Sequence, residues 1–339
     1  MYLPPEWYKH YGTWTTYPQN PETFFDNLEK AQNEFALMVK YISESEKVHI
    51  NVDNEENKRD LEKKLKKVDA LQKNINIHII PTNDCWNRDF GAIFVKDNKD
   101  WIGLDFEFNS WGGKYPYDLD NQVASKMCQI LNKKCQKIDM VLEGGSIDVN
   151  GAGSLLTTES CLLNKNRNPQ LTKEDIENNL KKYFGVKQVL WLKEGIVGDD
   201  TDGHIDDITR FVNENTIITV IEEDKEDENY LPLKENLELL KSFKDTNGNN
   251  FNIITIPMPE PQYFDFPEEK NYRLPASYAN FYITNKYVLV PTFNCKQDKI
   301  AIEILQKIFN DKKVIGIYAY DILIGLGGFH CLTMQIPQL

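Results

Sequence analysis

Gly327-Gly328-Phe329-His330-Cys331-Leu332-Thr333, led by the apolar run Ile322-Leu323-Ile324, is the stretch from which this chain is best read. A buried structural cysteine needs no glycine approach, whereas glycines admit close backbone contact with a ligand. Cys331 is therefore a candidate nucleophile, and backbone amides around Gly327 and Gly328 are in position to lower its pKa. Three upstream segments share the design: Trp86-Asn87-Arg88-Asp89-Phe90-Gly91, Glu143-Gly144-Gly145-Ser146-Ile147-Asp148 and Asp202-Gly203-His204-Ile205-Asp206-Asp207. Together they supply a thiol, an imidazole and several carboxylates, a set suited to nucleophilic attack on a small cation.

Each residue has a plainer reading. Free cysteines commonly serve as small buried hydrophobes, and Cys128 and Cys135, in a helix-like segment, are read that way. A lone histidine is more often structural than chemical. His204, however, stands two residues before Asp206, and in a strand the two would share a face. A carboxylate there would fix the imidazole tautomer and suit it to acid–base work. Five histidines with no H-x-H or H-x-x-x-H pair disfavour a metal, so neither metal nor cofactor is expected. Glycine-flanked acids usually make turns, a reading that extends to Asp148, Asp199, Asp200 and Asp207. Asp89, Glu143 and Asp206 converging in one pocket would instead accept the planar fork of a guanidinium.

Bulk composition narrows the function classes. The 339 residues are 41% hydrophobic and 12% aromatic, as in water-soluble globular proteins. No stretch approaches the roughly 18 apolar residues of a membrane span. The opening Met1-Tyr2-Leu3-Pro4-Pro5-Glu6 lacks a secretory pattern. Six cysteines without a C-x-x-C pair point to free thiols in a reducing, cytoplasmic setting. A net charge of -13 argues against nucleic acid and favours cationic ligands.

Strand-like runs alternate with helical patterns. Strands are expected at 48–52, 75–80, 188–192, 216–221, 251–256, 287–290 and 314–317. Phe24, Leu28, Ala31, Phe35, Met38 and Ile42 predict one long helix face. Thr172 and Asp175 resemble a capping box ahead of Ile176, Leu180 and Phe184, and Gly185 is a stop signal. Another helix is expected from about Asp298 to residue 309. Leu233, Leu237, Leu240 and Phe243 keep helical spacing within the polar stretch 222–250. No linker divides the chain, so a single catalytic domain over residues 1–339 is expected. The chemical segments sit near the ends of apolar runs, which would let strand ends converge on one mouth.

These residues carry a resemblance that spans almost the whole chain. Pro5-Glu6-Trp7, Thr13-Trp14, the segment around Trp86 and Asp89, Phe108-Asn109-Ser110-Trp111-Gly112-Gly113-Lys114-Tyr115, Glu143-Gly144-Gly145, Thr201-Asp202-Gly203-His204-Ile205-Asp206, Ser277-Tyr278-Ala279-Asn280-Phe281-Tyr282 and His330-Cys331-Leu332-Thr333 occur in an order and spacing similar to the agmatine deiminase family. Ala92 stands where that family commonly has proline, Tyr17 replaces a tryptophan, and Leu326-Gly327-Gly328-Phe329 departs from its glycine run.

The resemblance implies an α/β fold, a five-bladed pentein propeller of ββαβ units with pseudo-fivefold symmetry. It implies hydrolysis of agmatine to N-carbamoylputrescine and ammonia, a step of polyamine and putrescine biosynthesis. Cys331 would be the nucleophile and His204 the acid and base. Glu143 would position His204, and Asp89 and Asp206 would hold the guanidinium. Trp86, Trp111 and Gly328 complete the implied substrate-binding set. Trp14, Trp111 and Tyr115 are aromatic candidates at the distal amine. A homodimer is left open. Rival readings are a deiminase for free or C-terminal peptidyl arginine, a hydrolase releasing two ammonias from an acylated arginine, and an idle binder of polyamine-like cations.

Overall fold

Thr172 caps the helix Lys173–Phe184 with the expected box: its hydroxyl accepts from Asp175 N while Asp175 accepts from Thr172 N. Gly185, at φ 70°, ends it in the left-handed region. These details come from a computed structural model that describes residues 1–98 and 100–338, which include every motif named above. Ala31, Phe35, Met38 and Ile42 form the buried face of the helix Leu28–Ser43, each side chain worth roughly 1.5–3 kcal/mol if large and apolar. The expected single helix is broken upstream, because Phe25 takes φ 50° and separates Pro21–Phe24 from that helix. The predicted start near Asp298 is also corrected. The helix spans Lys296–Ile308, with Cys295 as its cap and Asp298 reaching back from the first turn.

Among the described residues, five sheets repeat one connectivity: an antiparallel pair, a helical crossover, and a third strand parallel to the second. One runs Ile93–Asp97, Asp100–Glu107, helix Val123–Ile130, Lys134–Val141. The next runs Asp148–Val149, Ser154–Thr158, helix Lys173–Phe184, Gln188–Leu192. Thr209–Asn213, Thr216–Ile221, helix Tyr230–Ser242 and Asn252–Pro257 form a third. Tyr282–Ile283, Tyr287–Thr292, helix Lys296–Ile308 and Lys313–Tyr318 form a fourth. In the fifth, the C-terminal strand Thr333–Pro337 pairs with His10–Thr16, which is followed by Leu28–Ser43 and Lys47–Val52. Ile75–Ile79 extends that sheet. The two chain ends are thus tied by a strand pair, and Trp14 faces Met334 across it.

This repeat explains how distant segments meet. Residues 86–91, 143–147, 201–208, 277–281 and 325–332 each lead directly into the first strand of one sheet. They are equivalent connections of a repeated unit. The expectation that they follow strand ends needs correction in the last case, since Ile322-Leu323 belong to the short helix Tyr320–Leu323. Cys135 is corrected too: it lies on the strand Lys134–Val141 and is exposed, while Cys128 is buried in the helix Val123–Ile130. No helix among the described residues is long and apolar enough to cross a membrane.

Candidate active site

The connection 325–332 ends in the short helix Phe329–Leu332, which presents Cys331. Asn280 brackets it. Backbone N–H groups of His330 and Cys331 donate to Asn280 Oδ1 at 2.9 and 3.3 Å, and Asn280 Nδ2 donates to Cys331 Sγ at 3.1 Å. Sγ also lies 3.9 Å from Asp206 Oδ2. Burial, then the carboxylates of Asp206, Asp207 and Asp89, hold the thiol well above its ordinary pKa, against a backbone hydrogen bond at Gly328.

His204 is fully buried and not on a strand. It precedes the 3-10 turn Ile205–Asp207, which corrects the expected strand geometry yet still brings the imidazole near Asp206. Its backbone N–H donates to Asp199 Oδ2 at 3.0 Å and Thr201 Oγ1 at 3.1 Å. Nδ1 stands 3.8 Å from Asp89 Oδ1 and 3.9 Å from Asp206 Oδ1, and Nε2 stands 3.9 Å from Glu143 Oε2. These are ion-pair separations, longer than hydrogen bonds. Among the described residues, both ring nitrogens, Glu143 Oε2 and Asp206 Oδ1 have no hydrogen-bond partner. Buried polar atoms rarely stay unpaired, so this cluster is built to receive a ligand. Burial alone would lower the imidazole pKa, but the Asp89 charge and contacts with Cys161 and Glu143 outweigh it and raise the pKa well above its usual value.

Asp89 is locked from two sides. Trp111 Nε1 donates to Oδ2 and Gly145 N donates to Oδ1, both at 2.9 Å. Burial pushes its pKa up to about 6; His204 opposes the shift, while Asp206 and Glu143 add to it. Asp206 goes the other way, because His330 Nδ1 at 2.6 Å offsets burial and holds its pKa low. Glu143 is also held low against burial, chiefly by Arg167, whose Nε lies 2.6 Å from Oε1.

The backbone between Glu143 and Asp148 approaches the centre of this cluster closely. A Cβ on Gly145 would fall 2.6 Å from His204 Nδ1, 2.9 Å from Asp89 Oδ1 and 3.0 Å from Asp206 Oδ2. Only glycine fits at this point, on which imidazole and carboxylates converge. Trp86 is buried with its ring against the connection 325–328: a Cβ on Gly327 would strike it at 2.5 Å. Gly328 is packed likewise against Asn280 Oδ1, also at 2.5 Å from an added Cβ. Trp14 is fully buried and stacked on His49 and His78, with its indole N–H on Asn51. Tyr115 is exposed and its hydroxyl donates to Asp200 at 2.7 Å.

Several participants carried no signal in the sequence. Arg167 lies in a polar loop, yet it joins Glu143 to Asp202 at 2.6 Å on each side. Glu6, noted only within Pro5-Glu6-Trp7, accepts from His330 Nε2 at 2.6 Å and from Arg210 at 2.9 Å. Asp148, read as a turn residue, is buried against Arg210 at 3.1 Å. Two donor triads are close enough to grip a cation: Glu143, Cys161 and His204, and Asp206, Asp207 and Cys331. Both draw on the groups that surround Gly145.

The Porphyromonas-type peptidyl-arginine deiminase family matches residues 2–337. A Legionella pneumophila (strain Paris) protein named "Putative agmatine deiminase" is 38% identical over 344 residues, which cover 100% of this chain and 96% of that protein. Among solved structures, a cysteine-to-serine variant of C. jejuni agmatine deiminase with substrate bound is 38% identical. Its TM-score is 0.89, and 98% of this chain and 95% of that one are covered. An agmatine deiminase of Enterococcus faecalis, catalysing its reaction, is 32% identical with a TM-score of 0.93, covering 99% and 96%. With this likeness running from end to end and a thiol, an imidazole and acids gathered at one buried point, the chain belongs to the agmatine deiminase family and is a hydrolase acting on a guanidino C–N bond.

Proposed function

We propose that this chain is an agmatine deiminase, converting agmatine and water to N-carbamoylputrescine and ammonia. The observation that carries the reading is the convergence of Asp89 Oδ1, Asp206 Oδ2 and His204 Nδ1 around Gly145. Asp89 and Asp206 hold the guanidinium nitrogens. Cys331 thiolate adds to the central carbon, its lone pair forming the C–S bond as the C=N π pair shifts onto nitrogen. His204 gives its proton to the departing amine as the C–N bond breaks, which leaves an S-alkylthiouronium. Neutral His204 then takes a proton from water, oxygen bonds to the same carbon, and the C–S bond breaks to restore the thiolate as the remaining hydroxyl proton leaves to solvent and the C=O forms. Glu143 holds the charge and orientation of His204. Trp111 acts through Asp89, and Trp86 and Gly328 shape the wall around Cys331. Substrate assists ionisation, because a bound guanidinium offsets the carboxylates that keep the thiol protonated.

The five arginines and Lys114 support a substrate without a carboxylate. Arg88, Arg210 and Arg273 are paired with Glu6, Glu6 and Asp227, and Arg167 with Glu143 and Asp202. Arg59 is exposed on the helix Glu55–Lys67, and Lys114 is paired with Asp200 and Asp202. The five repeated sheets support a five-bladed propeller formed by one domain, with substrate in its central channel. A cytoplasmic place in polyamine formation suits the chemistry.

Ammonia release from agmatine, with arginine in parallel and Cys331→Ser as control, tests the reading. Agmatine turnover abolished by the substitution is expected. Turnover of arginine alone overturns the substrate, and full activity of the variant overturns the nucleophile.

A further inference from the structure

We infer that Asn280 is a catalytic residue that stabilises the Cys331 thiolate through its side-chain amide N–H. The inference rests on the reading of Cys331 as nucleophile. Asn280 sits in the connection 277–281, one of the five that lead into the repeated sheets, and it is 2% exposed. Its amide orientation is decided by its partners. Oδ1 lies within hydrogen-bond distance of two backbone donors, His330 N at 2.9 Å and Cys331 N at 3.3 Å. Those donors require an acceptor, so the NH2 group must occupy the other position. There it meets two acceptors, Cys331 Sγ at 3.1 Å and Asp207 Oδ1 at 2.9 Å.

An amide N–H donates and cannot accept, so its bond to sulfur is stronger when sulfur is an anion. That selectivity matters because the groups around the thiol oppose ionisation. Asp206, Asp207 and Asp89 face Cys331 with negative charge, and burial removes solvent. His330 is hydrogen-bonded to Glu6 and Asp206 at 2.6 Å, and His204 stands 3.8–3.9 Å from the carboxylates of Asp89, Glu143 and Asp206. The Asn280 amide is then the side-chain donor aimed at Sγ in the empty protein. The same contact gives Gly328 a reason. A Cβ there would stand 2.5 Å from Asn280 Oδ1 and force the bracket open. Asp207, which is buried and whose carboxyl pKa is raised well above its usual value, holds the amide from behind.

The test uses two variants. Asn280→Ala removes the N–H aimed at sulfur without adding charge, while Asn280→Asp keeps an oxygen for the two backbone donors but sets a carboxyl oxygen against Cys331 Sγ and Asp207 Oδ1, so the Ala variant isolates the donor and the Asp variant must shift the midpoint at least as far. Iodoacetamide alkylation of Cys331 is followed against pH, alongside steady-state agmatine turnover and circular dichroism. A hydrogen bond to a charged group predicts an alkylation midpoint at least about one pH unit higher and kcat about 10- to 100-fold lower. Agmatine KM should move much less. Alkylation profiles that coincide with wild type in both folded variants overturn the role of Asn280 while leaving Cys331 as nucleophile. Full activity of Cys331→Ser overturns the underlying reading instead. If neither variant folds, the Asn280 side-chain amide resonance of the wild-type protein decides. It should move as Cys331 ionises, and an invariant resonance through that titration overturns the contact.

Discussion

Arg167 Nε lies 2.6 Å from Glu143 Oε1, and both side chains are fully inaccessible to solvent. A buried charge needs its partner, since the penalty of leaving one unpaired exceeds the net worth of the pair. Arg167→Gln should therefore destabilise the fold by about 3–5 kcal/mol, measured by urea unfolding. It should also raise the Glu143 pKa and weaken the acid–base role proposed for His204. An unchanged unfolding midpoint would show that the ion pair is dispensable.

Gly145→Ala places a methyl group 2.6 Å from His204 Nδ1, in the middle of the candidate guanidinium cradle. Gly145 lies outside the left-handed region, so the obstacle is steric: His204, Asp89 and Asp206 must shift to admit the methyl. Agmatine turnover should fall by roughly 100-fold or more, with circular dichroism to check that the variant is folded. Wild-type kinetics in a folded Gly145→Ala protein would place the substrate elsewhere.

Asp89 should make substrate capture depend on pH. Burial pushes its carboxyl up to about 6 from an ordinary 3.8. The raised value means that its contribution to stability is present below about 3.8 and is lost as pH rises through about 6. Binding of a cation has the opposite preference, because it needs the carboxylate. kcat/KM should therefore climb with pH through about 6, and calorimetry in buffers of different ionisation enthalpy should detect proton release near that pH. Equal heats in all buffers would count against Asp89 as the anionic partner.

Glu6 ties the N-terminal segment to the site through His330, and His330 reaches Asp206. Burial would raise the Glu6 pKa, but Arg210, His330 and Arg88 hold it well below the usual carboxylate range. Such a depressed carboxylate contributes stability above its unfolded value of about 4.5, and that contribution is lost as pH falls through the folded value. Glu6→Gln should cost about 3–5 kcal/mol at pH 7. The gap from wild type should narrow in acid. Parallel stability curves at pH 7 and pH 3 would exclude the ionised network as its source.

Local physics was legible in the residues. The capping box at Thr172 and Asp175, the stripe from Ala31 to Ile42 and the strands Gln188–Leu192 and Thr216–Ile221 follow from short-range periodicity and turn chemistry. The same reading singled out Asp89, Glu143, His204, Asp206 and Cys331, because glycine beside an acid, imidazole or thiol is visible in a few residues. The family resemblance supplied the repeat before any strand pairing could. Tertiary structure alone decided the partners. Arg167 with Glu143, Glu6 with His330 and Asn280 with Cys331 are separated by 24, 324 and 51 positions. No local pattern encodes such contacts. They arise because equivalent connections of a repeated unit are brought together by sheet pairing and core burial, and buried charges and amides are then stable only where they find one another.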